Sequence, residues 1–85
     1  MEIHYFAAAR EAAGTASQDY PQPPATLGEL LDDLRAQHAG TTQAGMGFAE
    51  VLGRCSFLLD GAHATAASPL SGVRRLDVLP PFAGG

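Results

Sequence analysis

The chain contains no lysine. Its positive charge rests on five arginines, Arg10, Arg35, Arg54, Arg74 and Arg75, against nine acidic residues, for a net charge of −4. That balance argues against a nucleic-acid surface, which needs clustered positive charge to displace counterions from phosphates. One cysteine, Cys55, excludes an internal disulfide framework. Its lack of neighbours such as C-x-x-C or H-x-x-x-H, with His4, His38 and His63 scattered, also gives no metal-ligand spacing. No apolar run approaches the roughly 20 residues of a membrane-spanning helix. Met1-Glu2-Ile3-His4 has no positively charged region ahead of an apolar stretch, as a signal peptide would. Repeats and low-complexity tracts are absent. Together these absences fit a soluble cytoplasmic protein with no membrane or nucleic-acid partner. At 46% hydrophobic and 16% charged, the 85 residues are globular rather than disordered, with room for one domain and one modest core.

What is present reads as alternating short elements. Ile3 to Phe6, β-branched and aromatic, predicts a strand. The alanine-rich Ala7 to Ala13 predicts a helix, which Gly14 ends. Ala16 to Tyr20 suits a short second strand before Pro21, Pro23 and Pro24 impose a stiff connection. Thr26 and Glu29 form a T-x-x-E capping box, and Leu27, Leu30, Leu31 and Leu34 follow at helical spacing. Asp32, Asp33 and Arg35 fall on the opposite, solvated face, and Gly40 is expected to stop this helix. Residues 40–47 read as loop and Phe48 to Leu52 as one or two helical turns. Ser56 to Leu59 and Ala62 to Thr65 read as a hairpin about Asp60-Gly61, a pair suited to a turn needing positive φ at both central positions. Pro69 to Gly72 is a further turn, and Leu76 to Leu79 the last strand, with Leu76 and Val78 on one face. A helix with a leucine stripe must bury it on a sheet, so the fold class is a two-layer α+β domain.

Pro80 and Pro81 lack the N–H that ladder pairing needs, so the chain is expected to leave the folded body there. This divides it into a domain, residues 1–79, and a tail, residues 80–85, ending Phe82-Ala83-Gly84-Gly85. Extended at about 3.3–3.6 Å per residue, such a tail reaches roughly 20 Å. It can thread a narrow channel and deliver the Gly85 carboxylate into a partner's active site, with Gly84 allowing close backbone approach. Cys55 reads instead as a small apolar residue. Arg74-Arg75 suits either steering of an acidic partner or a charged strand edge that discourages aggregation. Phe6, Leu59 and Leu79 are candidates for an apolar docking patch.

The two ends of the chain together resemble a known family, the ThiS/MoaD ubiquitin-like sulfur carriers. The residues that carry the resemblance are the opening strand with F-A-x-x-R-E-x-x-G, spanning Phe6, Ala7, Arg10, Glu11 and Gly14, and the closing P-P-x-x-G-G from Pro80 to Gly85. The double proline and the R-E segment look most like MoaD, the small subunit of molybdopterin synthase. Two features depart from the family pattern: Gly72-Val73-Arg74-Arg75 replaces acidic residues before the last strand, and Leu79 replaces an aromatic residue before the prolines. The resemblance implies a ubiquitin-like β-grasp, a mixed sheet of about five strands on one main helix, with a flexible Gly-Gly tail. It implies that Gly85 is adenylated by an activating enzyme that uses ATP, the carrier itself binding no cofactor, and is then converted to a thiocarboxylate. Gly84 gives clearance, and Leu79, Pro80, Pro81, Phe82 and Ala83 meet the partner, which for a MoaD is the molybdopterin synthase large subunit. Not catalytic alone, the chain is then the sulfur-donating subunit. Carriers for cysteine, thiamin or secondary-metabolite pathways, and a ubiquitin-like modifier or binding module, remain alternatives.

Overall fold

Five short strands lie side by side in one sheet, and the strand that comes last in the sequence lies at its centre. This computed structural model describes residues 1–81. The elements are β1 (Glu2–Tyr5), α1 (Ala7–Ala13), β2 (Ser17–Asp19), α2 (Leu27–Gln37), α3 (Phe48–Leu52), β3 (Ser56–Leu59), β4 (Ala62–His63) and β5 (Arg75–Leu79). The sheet order is β2-β1-β5-β3-β4. β1 and β5 run parallel, with Ile3 opposite Leu76 and Tyr5 opposite Val78; every other pairing is antiparallel. The β1–β5 connection includes the main helix, as a parallel pair requires.

Alternation decides the layers. Ile3, Tyr5, Leu76, Val78 and Leu59 turn to one face, where they meet Leu27, Leu30, Leu31 and Leu34 of α2 and Phe48, Val51 and Leu52 of α3. Each fully buried leucine contributes roughly 1.5–3 kcal/mol of transfer free energy, so the α2 stripe is a major part of the core. Thr26 caps α2 by accepting the Glu29 backbone N–H at 3.3 Å, the threonine half of the capping box. Asp60-Gly61 turns the β3–β4 hairpin with φ of 47° and 85°, values that glycine adopts freely and aspartate tolerates.

Several local expectations shift. β1 ends at Tyr5, because Phe6 is the N-cap of α1. α2 stops at Gln37 with His38 as its C-cap, not at Gly40. Gly40 is instead a point of close approach, where a Cβ would fall within 3.0 Å of the Ala12 carbonyl oxygen in the last turn of α1. β4 spans only Ala62–His63, although the Ala64 N–H still donates to Phe57 C=O at 3.0 Å. The Pro69–Gly72 turn contains a core residue, Leu70, only 1% exposed, pinned by its N–H to Ala25 C=O. Arg74 and Arg75 do not lie at a sheet edge, because β5 is central. Both of their backbone N–H groups donate to the Asp60 carboxylate, and the Arg75 guanidinium pairs with Asp77 at 2.6 Å. Leu59 belongs to the core and not to an outer patch.

Candidate functional site

The site expected from the sequence begins where β5 ends. Hydrogen bonding to β1 and β3 on its two sides fixes this strand up to Leu79, which lies opposite Ser56. Leu79 faces away from the core and is half-buried, as is Pro80; Pro81 is exposed. Phe82, Ala83, Gly84 and Gly85 lie outside the described residues.

The opening motif arrives at the same place. Phe6 N–H donates to Val78 C=O at 3.2 Å, which holds the start of α1 against the C-terminal end of β5. Phe6 itself is 39% exposed. Ala7 has φ 49°, a left-handed conformation that costs a residue with a Cβ roughly 1–2 kcal/mol. The strain lies between Phe6 and Ala8, beside the C-terminal end of β5. Such strain persists only where surrounding structure holds it, and it concentrates at functional sites.

Ala8, Met46, Val51, Arg54, Pro80 and Pro81 line a largely apolar groove of about 330 Å³. Four segments build it: α1, the loop before α3, α3 with its following turn, and the prolines. Arg54 stands at its rim, paired with Glu50 one helical turn earlier at 3.2 Å. Glu11 of the R-E pair holds the assembly from behind, its carboxylate accepting the Gln43 backbone N–H and so tying α1 to the loop that carries Met46. Met46, Val51, Arg54 and Ala8 were invisible as site residues in the sequence. They come from segments with no shared motif, and only the topology brings them together.

Other reactive groups fall elsewhere. The Cys55 thiol donates to Val51 C=O at 3.2 Å, and burial pushes its pKa up to about 11, which keeps it protonated and a poor nucleophile. His4 sits 3.2 Å from Glu2 on the sheet face opposite the helices. His38 packs against the Tyr5 and Phe48 rings, with centroids 5.7 and 4.6 Å away, and those two rings also touch each other edge-on. Among the described residues, no group of three or more His, Cys, Asp or Glu could hold a metal, and no helix is long and apolar enough to cross a membrane.

The ThiS family model matches residues 3–85. The chain belongs to the ThiS family. The fold agrees with that of SAMP1 from Haloferax volcanii, whose crystal structure superposes with a TM-score of 0.71 at 24% identity, over 99% of this chain and 97% of that one. At that identity the likeness speaks for the fold alone, and it makes this α+β domain a ubiquitin-like β-grasp. No curated protein sequence matches the chain. As a member of the ThiS family, the chain is a ubiquitin-like sulfur carrier, and membership implies an adenylating partner of the E1-like kind.

Proposed function

We propose that this carrier serves as the MoaD-like small subunit of molybdopterin synthase, with residues 1–79 as the folded domain and residues 80–85 as the tail that enters its partners. The observation that carries the reading is the meeting of the two MoaD-like motifs: Phe6 bonds to Val78, and Ala8 shares a groove with Pro80 and Pro81. At neutral pH a carboxylate such as that of Gly85 is ionised and a poor electrophile. Its oxygen attacks the α-phosphorus of ATP in the activating enzyme and releases pyrophosphate. The resulting acyl-adenylate is attacked at its carbonyl carbon by a sulfur donor, AMP leaves, and a thiocarboxylate remains. The sulfur is the nucleophile toward a pterin precursor held by the large subunit. Gly84 leaves room in the channel, and Pro80 and Pro81 limit the entropy that the tail loses on entry. Leu79, Pro80, Pro81, Phe82 and Ala83 form the contact with the partner.

A carrier for a different sulfur pathway is favoured over MoaD by one feature, the replacement of acidic residues by Arg74-Arg75 next to the same strand. The experiment combines ATP-dependent activation by the cognate E1-like enzyme with reconstitution on the molybdopterin synthase large subunit. The expected product of activation is heavier by the exchange of one oxygen for sulfur, and deletion of Gly85 abolishes it without lowering the melting temperature. Removing Gly85 shortens the reach by about 3.3–3.6 Å, and a misplacement of about 1 Å already costs on the order of a hundredfold in rate. Activation of the deletion variant at the parent rate would remove Gly85 from the site. Activation without sulfur delivery to the pterin precursor would keep the carrier and discard the MoaD role, and attachment to lysines of other proteins would make it a modifier.

A further inference from the structure

Pro80 and Pro81 form one wall of the apolar groove, and Gly85 follows Pro81 by four positions in the sequence. At about 3.3–3.6 Å per residue, those positions span at most about 14 Å, whatever path the backbone takes. An enzyme that closes its active site on Gly85 therefore brings its own surface to Pro81. A protein–protein interface of ordinary size covers about 800 Å² on each partner, a disc of roughly 16 Å radius. Centred on Pro81, such a footprint takes in the groove and its rim.

The groove has the build of a socket for a side chain rather than of a small-molecule pocket. Its volume of about 330 Å³ lies at the lower end of the range for ligand sites, which also need several converging polar groups. The side chains of Ala8, Met46, Val51, Pro80 and Pro81 present only carbon and sulfur, and the one charged group, Arg54, stands at the rim. The walls are held before anything binds. The proline rings fix their own φ, and Val51 is part of the core. Met46 sits in a closed loop: Thr42 N–H donates to Met46 C=O at 2.9 Å, Met46 N–H to the Thr42 hydroxyl at 3.1 Å, and Gly45 N–H to Thr42 C=O at 2.9 Å. Its thioether is the adaptable part, able to repack around what enters. A preformed apolar pocket orders little on binding, as a site for an interface anchor requires.

Arg54 adds charge to this rim. It engages Glu50 through Nη2 at 3.2 Å, and the two side chains are 61% and 54% exposed. An exposed pair one helical turn apart contributes little. A guanidinium carries five N–H donors, so a second carboxylate can join Glu50 or replace it with little loss. We propose that the groove is a docking socket for the adenylating partner, taking one apolar side chain of that enzyme between α1, α3 and the prolines, and one of its carboxylates on Arg54. The socket rests on the reading of Gly85 as the activated residue. The adenylating enzyme is favoured over a large subunit because ThiS membership implies it, whichever pathway the sulfur then enters.

The test pairs equilibrium binding with activation, using the full chain and the cognate adenylating enzyme. Ala8→Leu fills the groove with a good helix former. Arg54→Gln removes the rim charge, and Arg54→Glu reverses it. Calorimetry should show Kd rising at least tenfold in Ala8→Leu and Arg54→Glu, the scale of a lost anchor, with Arg54→Gln between Arg54→Glu and the parent. In ATP-dependent pyrophosphate release the loss should fall on KM rather than kcat, as for an interaction made equally before and during the reaction. Arg35→Glu breaks an ion pair on α2, outside the groove, and should bind as the parent does. Thermal melts on the same samples establish folding, and the exposed Arg54 keeps the proposal testable if Ala8→Leu does not fold. Deletion of Gly85 separates the socket from the reading beneath it: the deletion variant should bind with near-parent affinity and not be activated. If it is activated at the parent rate, the Gly85 reading fails, and the Kd of the groove variants still decides the socket. Parent Kd in folded Ala8→Leu and Arg54→Glu overturns the socket. So does a loss of affinity confined to the large subunit.

Discussion

Replacing Gly40 by alanine tests how closely α1 packs against the loop that follows α2. A Cβ at this position meets the Ala12 carbonyl oxygen closer than any real Cβ approaches, and its carbonyl carbon at 3.4 Å. Both are backbone atoms in the last turn of α1, so no side chain can swing aside. One of the two segments must move. Overpacking of this kind costs about 1–3 kcal/mol. Gly40 also accepts the Phe48 N–H at 3.0 Å just ahead of α3, and displacing it sacrifices a bond worth a net of about 0.5–1.5 kcal/mol. The sum is about 1.5–4.5 kcal/mol, and a domain of this size loses roughly 4–8 °C of melting temperature per kcal/mol. Thermal melts should therefore show Gly40→Ala falling by about 6 °C or more. Gly53→Ala is the control: its φ is −65° and the nearest atoms to its Cβ are at 3.5 and 3.6 Å, an ordinary contact. It should melt within a few degrees of the parent or slightly above, since alanine lowers the entropy of the unfolded chain. Equal melting of Gly40→Ala and the parent, or an equal loss in both variants, would refute the close-approach argument.

Leu79→Ala and Phe82→Ala, measured by calorimetry against the activating enzyme or the large subunit, should each weaken the complex at least tenfold, since interface anchors cost about 2 kcal/mol or more on truncation; unchanged affinity in both counts against their role. Cys55→Ser should retain sulfur transfer and lose little stability, because the serine hydroxyl can still donate to Val51 C=O. A folded Cys55→Ser protein without transfer would move the sulfur chemistry from Gly85 to the thiol.

Local chemistry made most elements readable in the sequence. The alanine run with its following glycine marked α1 to its ends, and the leucine spacing behind Thr26 marked the buried face of α2. Alternation in the last strand assigned Leu76 and Val78 to the core. What local pattern could not carry was neighbourhood. Arg74-Arg75 looked like edge charges because nothing nearby in the chain states that β1 and β3 flank β5. Leu59 ends a run of apolar residues, so its face depended on which way the hairpin docks. Leu70 sits in a turn sequence, yet its side chain closes the core because a loop passing Ala25 holds it there. Gly40 looked like a helix stop, a position glycines often occupy, whereas its constraint comes from a helix almost thirty positions earlier.

The same distinction separates the two halves of the candidate site. Pro80 and Pro81 announce an exit by their chemistry alone, since neither can continue a central strand. The surface at that exit is a product of topology. Because β5 is central and parallel to β1, its C-terminal end lies beside the start of α1, and the Phe6–Val78 bond fixes that contact. The short α1 then lies against α3, and Glu11 secures the loop between them and α2. The glutamate of the R-E segment therefore braces the loop beside the groove without lining it. The left-handed Ala7 is the point where the chain turns sharply enough to bring Ala8 into that groove. A strand that ends in two prolines cannot extend its ladder in any fold; with that strand in the middle of a β-grasp, Pro80 and Pro81 end it against an apolar groove.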